Sequence, residues 1–178
     1  MLKKTEGART ETLVQVIRVS TGLGKTRIAA RVISENRRTH PATAPWIYLV
    51  PTHRLGDDIG KLFAEHGITA VVFRGRAAKV PGKDEQMCLN LDQVRLALVA
   101  GEPIAETCCK NKERTCMFFG RCAYQRQKQV PPDVWIAAHE ALFHANRVFE
   151  DPVGVIIDEA FWSDGISAMG DRHRRHPQ

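Results

Sequence analysis

The sequence predicts an α/β domain of three layers with a mostly parallel sheet. Short runs rich in β-branched residues alternate with segments of helical periodicity. Several of those runs are nearly unbroken apolar stretches, as strands covered on both faces require. A glycine-bearing turn joins the first run directly to a helix.

In chain order, residues 13–19 (L-V-Q-V-I-R-V) are the first expected strand. Gly22 and Gly24 punctuate a turn, and residues 26–36 follow as a helix with Ile28, Ala29, Val32 and Ile33 on one side. A polar, proline-containing stretch at 37–45 crosses the surface. Residues 46–50 are the second strand, closed by Pro51-Thr52-His53, and 55–66 form a helix stopped by Gly67. Residues 68–73 are a third strand. The character then changes: 75–85 is charged and loop-like, with a turn at Pro81-Gly82, and 89–99 carries apolar residues at helical spacing. Residues 107–128 are rich in cysteine and lysine. Order returns with a strand at 134–138, a helix-like H-E-A-L-F-H-A, and a last buried strand at 153–157. The interrupted middle reads as an insertion over 84–129, dividing the main domain into 1–83 and 130–178.

Length and composition fit one domain with a small satellite: 178 residues, 43% of them apolar. A net charge of +6 and a pI near 9.3 favour an anionic partner. No run of 18 apolar residues exists, so no membrane span is expected, and the N-terminus lacks a secretory apolar stretch. Cytoplasmic residence is the expectation. The five cysteines, Cys88, Cys108, Cys109, Cys116 and Cys122, all fall within 35 residues. An odd number without a signal peptide argues against a disulfide scaffold, and the clustering argues for a metal site.

Two segments carry chemistry. Residues 20–26 read S-T-G-L-G-K-T, between a hydrophobic strand and a helix. Gly24, Lys25 and Thr26 fit the end of the phosphate-loop pattern G-x-x-x-x-G-K-[ST], with Val19 at the first glycine position. Backbone amides over Thr21, Gly22, Leu23, Gly24, Lys25 and Thr26 can turn toward phosphate oxygens at a helix N-terminus. Lys25 would reach the β- and γ-phosphates, and the Thr26 hydroxyl would ligate Mg²⁺. Residues 153–159 read V-G-V-I-I-D-E, a strand that ends on two carboxylates. Asp158 would hold Mg²⁺ and Glu159 would polarise the attacking water as general base. Each segment alone has a bland reading, a Gly-rich turn or a capping aspartate. Together they point to a nucleoside triphosphatase using ATP and Mg²⁺.

S-T-G-L-G-K-T, then P-T-H-R-L, then D-E-A-F resembles the N-terminal, RecA-like motor domain of superfamily 2 helicases, whose members commonly lack the first Walker glycine. The resemblance maps Lys25 and Thr26 to the phosphate and magnesium residues, and Asp158 and Glu159 to the D-E-A-H or D-E-A-D box. Phe161 stands where that box usually has His or Asp, a position that couples hydrolysis to the nucleic-acid site. Thr52, His53 and Arg54 fall on the segment that in the family touches the nucleic-acid backbone. The later order of R-T-C-M-F-F-G-R-C-A-Y-Q, P-D-V-W-I-A-A-H-E-A-L-F and V-I-I-D-E-A is similar to the iron–sulfur DNA helicases related to XPD and DinG. They carry a cysteine-containing insertion at this place. The resemblance covers roughly residues 12–162 and implies an ATP-dependent DNA helicase acting on single-stranded DNA together with a second motor domain. Such a second domain would lie on a missing C-terminal part or on another chain, so the isolated chain is expected to hydrolyse ATP weakly and not to unwind duplexes.

Four thiolates could enclose one metal or cluster: Cys88, Cys116, Cys122, and either Cys108 or Cys109. Their softness leaves zinc or iron–sulfur. Spacing alone favours neither: no C-x₂₋₄-C pair of the usual zinc kind is present apart from the adjacent thiols, a 4Fe–4S cube tolerates wider spacing, and Zn²⁺ and free cysteines are the alternatives. The family resemblance points to the cluster and places Cys88 at the start of the insertion. Lys110, Lys112, Arg114, Arg121, Arg126 and Lys128 face only Glu113, with Phe118, Phe119 and Tyr124 interleaved. Lys110, Lys112, Arg121 and Arg126 are therefore candidate contacts to single-stranded DNA or another nucleic acid. Two other readings are a P-loop ATPase or kinase with structural zinc and a non-catalytic nucleic-acid-binding module derived from a helicase.

Overall fold

The computed structural model describes residues 23–41, 44–129, 131–143 and 147–158. Strands β1 (Trp46–Val50), β2 (Ala70–Val72), β3 (Val134–Ala138) and β4 (Val155–Ile157) form one open sheet of order β2-β3-β1-β4, parallel throughout. The expected strand at 13–19 lies outside the described residues. Parallel neighbours cannot be joined by hairpins, and the crossovers here are helical or long. Helix α1 (Lys25–Thr39) precedes β1, and α2 (His53–Glu65) links β1 to β2. The long segment before β3 contains α3 (Leu91–Val99) and α4 (Ala123–Arg126).

One face of the sheet is covered by α1 and α2. Ala30 and Ile33 of α1 and Ile59 and Phe63 of α2 pack with Tyr48, Val50, Val134 and Ile136. Phe63 is fully buried and meets the Tyr48 ring edge-on at 5.4 Å, a burial worth roughly 2 kcal/mol for such a side chain. Gly56 lets α2 come close: a methyl there would sit 3.1 Å from Ile136. The inward stripe of α1 differs from the expected one. Ala29, Ala30 and Ile33 face the sheet, whereas Ile28 and Val32 are about half exposed. Those two lie one turn apart on a stripe of their own, rotated away from the sheet by the 100° step of the helix. Arg37 anchors the same helix to the entry of β3 through an ion pair to Asp133 at 3.3 Å.

The other face is covered by the cysteine-rich segment itself. Met87, Cys122 and Tyr124 form a core with Ile47, Leu49, Phe73, Trp135 and Ala137. Phe73 is its hub, with edge-on contacts to Tyr124, Trp135 and Phe149. Residues 84–129 thus supply a layer of the sheet, and a smaller core of Cys88, Leu91 and Val94 lies beneath α3. The cover thins toward β4. Val155 and Ile157 pair with Ile47 and Leu49 but remain 45% and 38% exposed. The strand carrying the carboxylates was expected to be buried; it ends the described sheet, with a hydrogen-bonded neighbour on one side only.

Candidate functional site

Asp158, Thr52 and His53, three of the candidate residues, lie at the C-terminal ends of the parallel strands, where open α/β sheets leave a crevice. Asp158 follows β4 and is held at three points. Its N–H donates to the Leu49 carbonyl at 2.9 Å, carrying the pairing one step past the strand. Its own carbonyl accepts from His139 Nε2 at 2.8 Å. Since a carbonyl can only accept, Nε2 carries the proton in this bond. Its Oδ2 accepts from the Tyr48 hydroxyl at 3.0 Å. Tyr48 and His139 are 2% and 1% exposed, so both anchors are fixed by packing.

The turn before α1 meets this carboxylate through the same phenol. Gly24 adopts φ 74°, a left-handed conformation that glycine takes without steric cost, and starts the helix. Lys25 and Thr26 are then the first helical residues, half-buried. The Thr26 side chain lies close enough to the Tyr48 hydroxyl to act on its pKa, so that Thr26 and Asp158 both approach that phenol. Burial, and next the Asp158 charge, push the Tyr48 phenol well above its ordinary range, while Thr26 opposes them. Tyr48 is therefore a neutral donor at any physiological pH. Leu23 is exposed; Thr21, Gly22 and Glu159 lie outside the described residues.

The threonine hydroxyl and the carboxylate are hard oxygen donors, the type that Mg²⁺ takes. The residues present therefore fit a magnesium ion in donor chemistry.

A second polar group lies at the ends of β1 and β2. Thr52 caps α2, its side chain accepting from the Leu55 N–H at 3.3 Å. His53 is half-buried, and burial foremost, then the Arg74 charge, pull its pKa below the ordinary value. Arg74 is 9% exposed and grips Asp57 through both carboxylate oxygens at 2.6 and 2.7 Å. Gln127 clamps the Arg74 backbone, accepting from its N–H at 3.0 Å and donating to its carbonyl at 2.9 Å. Arg54 is exposed. Arg74, Asp57 and Gln127 are marked by no motif in the sequence and come together only in the fold. A cavity of about 620 Å³ opens beside His53, Asp57 and Arg74, walled on its other side by 78–84.

The thiols are gathered but do not close on a point. Cys88 and Cys122 are buried, in different cores. Cys122 donates to the Met87 carbonyl at 3.5 Å and Cys108 to that of Gln93 at 3.4 Å, while Cys116 accepts from Asn90 at 3.8 Å. Burial pushes the Cys88 and Cys108 thiols up. Among the described residues no group of three or more histidines, cysteines or carboxylates has the spacing of a metal site. The donor chemistry suits a soft metal; the spacing of these side chains does not reproduce a coordination shell. Lys110, Lys112, Arg121 and Arg126 are exposed, with Lys110 over the Phe119 ring and Arg121 over Phe118. Tyr124 is buried, with Arg76 and Lys128 each within about 4 Å of its ring centre.

No protein-family model matches the chain, and no curated protein or solved structure was found to match it. No described helix is long and apolar enough to cross a membrane.

Proposed function

We propose that this chain is a P-loop, RecA-like nucleotide-binding domain, the ATP-binding half of a DNA helicase. The observation that carries the reading is the meeting of Thr26 and Asp158 at the Tyr48 hydroxyl, though Tyr48 and Asp158 lie 110 residues apart. A threonine at a helix N-terminus beside a carboxylate at a strand end is the pairing that phosphate and magnesium recognition requires. In this reading the amides around Gly24 and the first turn of α1 receive phosphate oxygens, and Lys25 neutralises the β- and γ-phosphates. Thr26 and Asp158 hold the magnesium ion, which when bound neutralises charge developing on the phosphoryl oxygens. Glu159, next in sequence, orients water.

Nucleic-acid binding belongs to the same proposal. Arg54 and the exposed Lys110, Lys112, Arg121 and Arg126 supply positive charge on two elements, and single-stranded DNA supplies phosphates and bases for stacking. Movement along the strand requires a second motor domain. The cysteine segment is proposed to hold an iron–sulfur cluster, or zinc, once the thiols are deprotonated and drawn together.

The test of the nucleotide reading is calorimetry with ATP and Mg²⁺. Lys25→Ala is predicted to lower affinity at least tenfold with the melting temperature of the free protein unchanged. Equal affinity in the native and substituted chains would reject the phosphate-loop assignment.

A further inference from the structure

Tyr48 sits in a strand whose other residues are apolar, and its ring is already accounted for by packing on Phe63. Its hydroxyl does separate work. A buried phenol needs a partner: this one donates to Asp158 Oδ2 at 3.0 Å, and the Thr26 side chain lies close beside it. Those are the two side chains assigned to the metal. We infer that Tyr48 is a positioning residue for the magnesium–nucleotide complex, setting the orientation of the Asp158 carboxylate and its separation from the Thr26 hydroxyl before any ligand arrives. The inference rests on the nucleotide reading above.

The side-chain torsions of Asp158 are what remains to be fixed once its main chain is held. The Leu49 carbonyl and His139 Nε2 hold the Asp158 main chain on both sides of its Cα. Neither restrains rotation of the side chain. The phenol does, because Oδ2 bonded to a group that cannot itself move leaves the carboxylate one orientation. A carboxylate has about four acceptor positions, so a single phenol bond leaves Oδ1 and a further lone pair for a cation. Tyr48 is in turn immobilised by its 2% exposure in the core. Groups that orient a metal-binding carboxylate in this way commonly alter metal affinity ten- to a hundredfold when removed.

Tyr48→Phe keeps the ring against Phe63 and deletes only the hydroxyl. The measurement is ADP affinity with excess Mg²⁺ and again in EDTA, for the native chain and four variants: Tyr48→Phe, Asp158→Asn, the double substitution, and Lys25→Ala. Tyr48→Phe is predicted to leave the EDTA affinity unchanged and to lower the Mg²⁺-to-EDTA affinity ratio about tenfold. In the Asp158→Asn background the same change should add nothing, because the phenol acts through that carboxylate. A native ratio in Tyr48→Phe overturns the inference, as does a further loss in the Asp158→Asn background. An equal loss with and without Mg²⁺ also overturns it, marking a purely structural role. Lys25→Ala separates the two levels of the argument. If it abolishes binding while Tyr48→Phe behaves as native, only the role of Tyr48 falls. If the native chain binds no ADP under either condition, the nucleotide reading falls and takes this inference with it.

Discussion

Asp158 shows how little freedom the candidate catalytic edge retains. One aspartate is pinned through its N–H, its carbonyl and its carboxylate by groups from β1 and from the turn that follows β3. The motif was legible because a carboxylate ending an apolar run is visible along the chain. Its anchors were not, because a tyrosine in I-Y-L-V or a histidine in A-A-H-E declares a partner only after folding. His53 offers a prediction at this same scale. Its pKa is lowered in the folded protein, chiefly by burial, so the folded state disfavours the imidazolium. The unfolded chain then takes up a proton first as pH falls below about 6.5. The stability contributed by neutral His53 is complete above that value and is lost as pH drops from 6.5 toward the folded pKa. His53→Gln should therefore flatten the fall in melting temperature between pH 7.5 and 5.5. Identical slopes for the two proteins would contradict the assignment.

At the scale of elements, β1 and β3 match the expected residues 46–50 and 134–138 throughout. Both lie inside the sheet, paired on two sides, and their apolar runs end where pairing ends. The outer strands are shorter than expected: 68–73 contracts to Ala70–Val72, and 153–157 to Val155–Ile157. With a described partner on one side only, their ends depart from the ladder. Helix α2 starts at His53, two residues before the expected Leu55, because Thr52 caps it, a signal available in the sequence and not used. Gly154 has a spatial reason to be glycine. An added methyl would stand 2.5 Å from the Trp46 ring, and the next residue, Ile47, holds Gly154 close by donating its N–H to the Gly154 carbonyl at 3.0 Å. Gly154→Ala must displace that ring or β4 itself, at about 2 kcal/mol. Urea denaturation should show the loss, with altered tryptophan fluorescence; native stability would mean that Trp46 gives way freely.

For the whole molecule, the feature least legible in the sequence is where the cysteine-rich segment packs. The sequence marks it as an insertion because its composition breaks the strand–helix alternation. The structure uses it as the second cover of the sheet, with Cys122 and Tyr124 in the same core as Trp135. Its cohesion is therefore coupled to the sheet, and Gln127 adds a polar tie to the strand end at Arg74. Anaerobically purified protein is predicted to carry iron and sulfide in cluster stoichiometry with absorbance near 400 nm. Stoichiometric zinc without iron would replace the cluster by a structural ion, and protein free of both metals would remove the metal proposal. Cys116→Ser should lower metal content while sparing nucleotide binding, since Cys116 is absent from both sheet cores.

The central claim is that α1 and β4 build one magnesium-dependent nucleotide site although they lie at opposite ends of the described chain. Calorimetric titration of ATP into the native protein, with Mg²⁺ and then with excess EDTA, tests it most directly. Saturable one-to-one binding that tightens with Mg²⁺ and loses that tightening in Asp158→Asn is the predicted result. Binding indifferent to both the metal and Asp158, or no binding, would contradict the account.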